Sequence, residues 1–140
     1  MSSSQLISLS TRPEHDLLVL RLHLARRWSD DELGVTLRNL MLPAVEMTGT
    51  RYVLFDVAEV DYYSGALLSP LIHVLRLVVR EREGAVLLCN LSESGRDYLR
   101  LARLDTVFCL CDDEPAAIAQ VARFRSGSEE PWRWPPRRTP

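Results

Sequence analysis

Short apolar runs alternate with stretches of helical period along most of this chain, and that alternation limits the fold more than any other feature. Residues 16–24 carry Leu17, Leu18, Val19, Leu20, Leu22 and Leu24 in near-continuous succession. That is the pattern of a strand covered on both faces. Leu33, Leu37, Leu40, Met41 and Val45 then repeat at helical spacing, behind a Ser29-Asp30-Asp31-Glu32 segment that matches a capping box. Pro43 is expected to bend or shorten that helix and Gly49 to stop it. Residues 51–57, RYVLFDV, read as a strand, and residues 58–63 as the loop after it. Leu67, Leu68, Leu71, Ile72, Leu75, Val78 and Val79 mark a second amphipathic helix, ended by a charged run and Gly84. Either Ser64 caps it and Pro70 lies inside with a kink, or Ser69 caps it and Pro70 takes the first helical position. The apolar period already running at Leu67 favours the earlier start.

The same alternation continues. Residues 85–90, AVLLCN, form a buried strand, and Ser92 opens a short helix to about Leu104, with Tyr98, Leu99 and Leu101 as candidate inner residues. Residues 106–111 form a further strand, and Asp112-Asp113-Glu114-Pro115 begins a last helix reaching about Phe124. Residues 5–10 are assigned a short edge strand after a frayed start at residues 1–4. Strands that alternate with helices imply an α/β domain with a mainly parallel sheet and right-handed crossovers. Residues 51–57 and 85–90 are therefore expected to be adjacent parallel strands, with the helix at 67–82 packed over them. One domain over residues 1–124 is expected, followed by a tail at 125–140 rich in Ser, Gly, Pro, Trp and Arg. Trp132 and Trp134 in that tail would dock on the domain, engage a partner or touch a membrane surface, and docking is the preferred reading.

Composition narrows the function. With 17 basic and 19 acidic residues, a net charge of −2 gives no electrostatic case for nucleic-acid binding. Every basic residue is Arg, which removes P-loop and Schiff-base lysine chemistry. No apolar run approaches the roughly 18 residues of a membrane span, and the first residues lack a signal-peptide pattern. A cytoplasmic protein is the expectation. Cys89, Cys109 and Cys111 are an odd count, which argues against a disulfide framework. They read as buried thiols packing as small hydrophobes. His15, His23 and His73 have no metal-site spacing to them, so neither a metal nor a cofactor is expected.

Candidate site residues cluster around the start of the second helix. A helix N-terminus presents free N–H groups and a partial positive charge, which makes the stretch from Asp61 to Leu67 a ready anion site. Ser64 reads first as a helix cap and second as a phosphorylation site. Tyr62 and Tyr63 read as partly buried loop aromatics. Asp56 either serves a site or accepts backbone N–H bonds from the loop, and Asp61 reads as solvated. His73 reads as a surface histidine. No Gly-rich phosphate loop, paired-carboxylate motif or nucleophile–base arrangement is visible.

Several segments share their order and spacing with one known family. An apolar strand ends on Asp56, Val60 follows, and Ser64-Gly65 opens a long apolar helix. Glu83-Gly84 leads residues 85–90, residues 92–101 make a short helix, and Leu104-Asp105-Thr106-Val107-Phe108 precedes Asp113, Glu114, Ala116 and Ala117. Over roughly residues 5–123 this resembles the STAS domain, the family of bacterial anti-sigma factor antagonists. The resemblance implies a single α/β domain with a sheet of four to five strands and about four helices. It also implies a regulatory role in signalling and transcription through protein–protein interaction. The family's second helix follows Asp-Ser-Ser-Gly, whose first Ser is the phosphoacceptor. Counted without gaps from Asp56 and Val60, its Asp falls on Ser64, the acceptor on Gly65 and the next Ser on Ala66. Forcing Ser64-Gly65 onto Ser-Gly instead puts the acceptor on Tyr63. Either way the usual phosphoserine is missing. Leu24-Ala25-Arg26-Arg27 stands where the family has Gly-Glu-Leu-Asp.

The resemblance implies a non-catalytic module that binds an anti-sigma factor, a serine kinase or another STAS protein, and that can form a homodimer. The partner-binding loop would comprise Asp56, Asp61, Tyr62, Tyr63, Ser64 and Gly65, with Ser64 as the phosphosite if there is one. Two other readings remain open: a cytoplasmic STAS subunit of a lipid or anion transport complex, and a small nucleotide-binding protein.

Overall fold

The computed structural model of the chain describes residues 6–24 and 29–133. The expectations for residues 1–5, for Ala25-Arg26-Arg27 and for Trp134 lie outside the described residues. The element order is β1 (Ile7–Arg12), a 3₁₀ turn (Pro13–His15), β2 (Leu17–Leu24), α1 (Asp30–Thr48), β3 (Tyr52–Val60), α2 (Gly65–Arg82), β4 (Ala85–Cys89), α3 (Glu93–Leu101), β5 (Cys109–Cys111) and α4 (Glu114–Ser126). The strands form one sheet in the order β1-β2-β3-β4-β5. β1 runs antiparallel to β2, and every other pairing is parallel.

Sequential parallel strands joined by right-handed crossovers must carry their helices on one face. Accordingly Leu33, Leu37, Met41 and Val45 of α1, Leu67, Leu71, Val74 and Val78 of α2, and Leu99 of α3 share one core with Leu18, Leu20, Val53, Phe55, Val86 and Leu88. The other face packs Leu17, Val19, Tyr52, Leu54, Ala85 and Leu87 against Ala117 and Val121 of α4. Both faces of β2, β3 and β4 are thus covered over most of their length, which explains their unbroken apolarity. β3 and β4 pair in parallel from Tyr52–Ala85 to Asp56–Cys89 under α2, as the strand–helix–strand order requires.

Helix boundaries follow local chemistry. Ser29 Oγ accepts from Glu32 N at 3.4 Å to open α1, which runs through Pro43 and ends at Gly49 with φ 64°. Ser64 Oγ accepts from Leu67 N at 3.4 Å, so α2 takes the earlier of its two starts and Pro70 lies inside it, buried. Ser92 and Asp113 cap α3 and α4 in the same way.

Other boundaries depart from the sequence reading. β3 continues three residues past Val57, so the expected loop at 58–63 shrinks to residues 61–64. β5 is only three residues long. α3 stops at Leu101, whose side chain is 86% exposed rather than inward, while Leu99 is buried and Tyr98 half-buried. α4 includes Arg125 and Ser126. The left-handed residue after α2 is Glu83, with φ 53°, not Gly84. Past α4, Trp132 packs against the core on the α2 side, and Arg133 Nη1 donates to Glu83 O at 3.3 Å. Among the described residues no helix is long and apolar enough to cross a membrane.

Candidate functional site

A β-bulge decides which candidate residues meet. Arg21 pairs with Asp56 and His23 with Glu59, so Val57 and Ala58 together oppose Leu22. The extra residue carries the end of β3 beyond the point where the sheet face is fully covered. The N–H of Ala58 donates to Asp56 Oδ1 at 3.1 Å, so the carboxylate satisfies a backbone donor at the bulge. Asp56 also accepts from Asn90 Nδ2 at 3.0 Å and pairs with Arg21 Nε at 3.4 Å. Arg21 Nη2 reaches Glu114 Oε1 at 2.9 Å, and Arg12 Nη2 reaches Glu114 Oε2 at 3.2 Å. This chain of charges ties the β1–β2 hairpin, β3 and the start of α4 together on the α4 face of the sheet. The sequence reading of Asp56 missed these partners. They lie on other strands and on α4, and only the sheet register brings them together.

Asp61, Tyr62, Tyr63, Ser64 and Gly65 form a separate group, between the end of β3 and the first turn of α2. Asp56 lies five residues back along β3, roughly 16 Å at strand rise, on the α4 face. Its carboxylate is held by Arg21, Asn90 and the Ala58 amide.

Within the loop the side chains divide sharply. Asp61 and Gly65 are exposed, and Tyr62 is 51% exposed. Ser64 is 7% exposed, and its hydroxyl accepts the Leu67 amide. Tyr63 turns inward against the core and lies over α3, where a Cβ on Gly95 would come within 2.6 Å of its ring. Its ring centroid is 6.4 Å from that of Tyr98. The Tyr63 hydroxyl is buried and meets no hydrogen-bonding partner in good geometry. Burial pushes the Tyr63 phenol up; nearby Ser92 pulls it down, and the charge of Asp61 adds to the rise. Gly65 is the first helical residue, and a Cβ built there has nothing within 4 Å. The loop thus presents Asp61, Tyr62 and Gly65 outward and keeps the Tyr63 and Ser64 hydroxyls inside. The loop leads directly into the N-terminus of α2, with Ser64 as its cap.

His73 is half-buried on α2. All three cysteines are free. Cys109 and Cys111 share a face of β5 with sulfurs 4.0 Å apart, as their spacing implies. Among the described residues no group of three or more His, Cys, Asp or Glu side chains is arranged to hold a metal ion.

No family model matches the chain and no curated protein matches it. Solved structures do. A Planctomyces limnophilus protein described as an anti-sigma-factor antagonist (STAS) domain aligns over 83% of this chain and 97% of its own, with TM-score 0.66 and 16% identity. A Thermotoga maritima protein assigned to the anti-sigma factor antagonists aligns over 86% and 98%, with TM-score 0.73 and 14% identity. A variant of RsbS from Moorella thermoacetica aligns over 86% and 97%, with TM-score 0.66 and 11% identity. The order and pairing of the strands, the helices that cover them and these likenesses agree: the chain has the fold of the STAS domain.

Proposed function

We propose that this chain is a non-catalytic regulatory module that binds a protein partner through the loop at residues 61–65 and the start of α2, without the usual phosphoserine switch. The partner class follows from the fold's likeness to anti-sigma factor antagonists: an anti-sigma factor, a serine kinase or another STAS protein, within the cytoplasm. The observation that carries the reading is Gly65. At the place where the ungapped count puts the phosphoacceptor, the chain has the first residue of a helix, exposed and surrounded by open space, but with no hydroxyl. The neighbouring hydroxyls do not substitute for it. Ser64 Oγ is engaged in capping and Tyr63 is turned into the core. A phosphate would be tolerated electrostatically at a helix N-terminus, so what is missing is the acceptor rather than the environment.

The test is capture of partners from native cells, with mass spectrometry of the loop. The native chain is expected to retain a sigma-regulating partner while residues 61–65 stay unmodified. Gly65→Ser is expected to become a kinase substrate and to lose that partner when phosphorylated. Substantial phosphate on native Ser64 or Tyr63, coupled to loss of the partner, would overturn the reading and restore a conventional phospho-switch.

A further inference from the structure

Beyond the loop, the α4 face of the sheet carries an arrangement that the binding role does not use. Ser8 on β1, His23 on β2 and Glu59 on β3 lie 15 and 36 residues apart in sequence but side by side in the sheet. The period of the strands places them there. Val19, Arg21 and His23 follow one another on one face of β2, Ser8 pairs with Arg21 across the antiparallel ladder, and the bulge in β3 sets Glu59 opposite His23. Ser8 Oγ is 2.6 Å from His23 Nε2, and His23 Nδ1 is 2.6 Å from Glu59 Oε2. An ionised carboxylate only accepts, so Nδ1 must carry the proton that faces Glu59. In the neutral ring Nε2 is then the bare acceptor, and the Ser8 hydroxyl donates to it. Nucleophile, base and orienting carboxylate stand in hydrogen-bonded sequence.

We propose that Ser8 is an activated serine and a site of covalent acylation by activated acyl donors, with His23 as its base and Glu59 as the residue that positions His23. Ser8 and Glu59 are exposed on the open part of the sheet face, so the chemistry suits a small donor that reacts on encounter, an aryl ester or acyl phosphate. The Ser8 oxygen bonds to the acyl carbon while its proton passes to His23 Nε2. The tetrahedral adduct then expels the phenolate or phosphate, which leaves with that proton, and Ser8 remains as an ester. The outcome is a modified serine on the β1 edge of the sheet, on other elements than the loop at 61–65.

Incubation with p-nitrophenyl acetate, followed by peptide mass spectrometry, tests this. The expected result is release of p-nitrophenolate in step with a single acetyl group on Ser8, ahead of the exposed Ser69 and Ser94. Ser8→Ala abolishes the adduct, and His23→Gln slows it by about 100-fold or more, the usual contribution of a positioned base. Glu59→Gln slows it and Glu59→Asp restores part of the rate, which separates positioning of His23 from simple sheet stability. Acetylation of Ser8 no faster than of Ser69 or Ser94 in the native chain would overturn the proposal, as would a folded His23→Gln variant that reacts at the native rate. Neither result bears on partner binding by the loop.

Discussion

At Gly84 the backbone of β4 enters the sheet directly beneath that of Arg51. A Cβ at this position would lie 1.5 Å from Arg51 O and 2.5 Å from Arg51 C, both backbone atoms. The contact is fixed on several sides. Ala85 N donates to Arg51 O at 3.1 Å, and the Arg51 guanidinium reaches Arg82 O and Glu83 O. Read as a helix stop from sequence, Gly84 is needed for close approach instead, while Glu83 takes the left-handed turn. Gly84→Ala is expected to cost about 3 kcal/mol or more, at the upper end of single substitutions, because only movement of a strand relieves the clash. Gly65→Ala, where space is open, should change stability by no more than about 0.5 kcal/mol. Urea denaturation of both variants checks the contrast, and equal midpoints would show that the β3–β4 entrance can give way.

On the scale of the elements, the helices were legible because their caps and apolar stripes are local. Ser29, Ser64, Ser92 and Asp113 each accept from an amide three residues on. The period from Leu67 onward chose between the two starts of α2, since burying Leu67 and Leu68 outweighs the backbone bond that Pro70 cannot make. The end of β3 was not legible. After the bulge Ala58 and Glu59 are both exposed, which breaks the alternation and reads as loop. The same bulge hid the positions of Asp56 and Glu59, because partners on other strands depend on register and not on spacing along the chain. Ser64→Ala follows from the cap. The helix loses one side-chain acceptor at an end whose other residues hold it in place, so stability should fall by about 1 kcal/mol. The loop's outward face is Asp61, Tyr62 and Gly65, so partner capture should persist. Denaturation paired with pull-down checks both, and loss of the partner at unchanged stability would place the Ser64 hydroxyl in the interface.

Taken whole, the sheet has two differently built ends. The loop at 61–65 and the charges of Arg21, Asp56, Asn90 and Glu114 occupy the end of the sheet where the parallel strands finish. The segment after α4 returns to the other end. Trp132 packs against the core and lines one groove with Ile72, Leu75, Arg76, Leu104 and Val107 and another with Val79, Ala85 and Val86. Arg133 reaches Glu83 beyond the last turn of α2. Composition marked residues 125–140 as a change of character, but it could not say which surface an indole would find, since a groove between α2 and the segment joining α3 to β5 exists only after the chain has folded. From Ile72 to Val79 the helix residues near Trp132 stand roughly 10 to 20 Å along the axis from Gly65. Substitutions that far apart with no shared partner are additive. Trp132→Ala should therefore lower stability by about 1–3 kcal/mol through lost apolar burial, with partner capture and the modification state of the loop unchanged. Thermal denaturation gives the first quantity and pull-down at a temperature where the variant is fully folded gives the second. A variant of native stability that no longer holds its partner would move the binding surface from the start of α2 to the groove under Trp132.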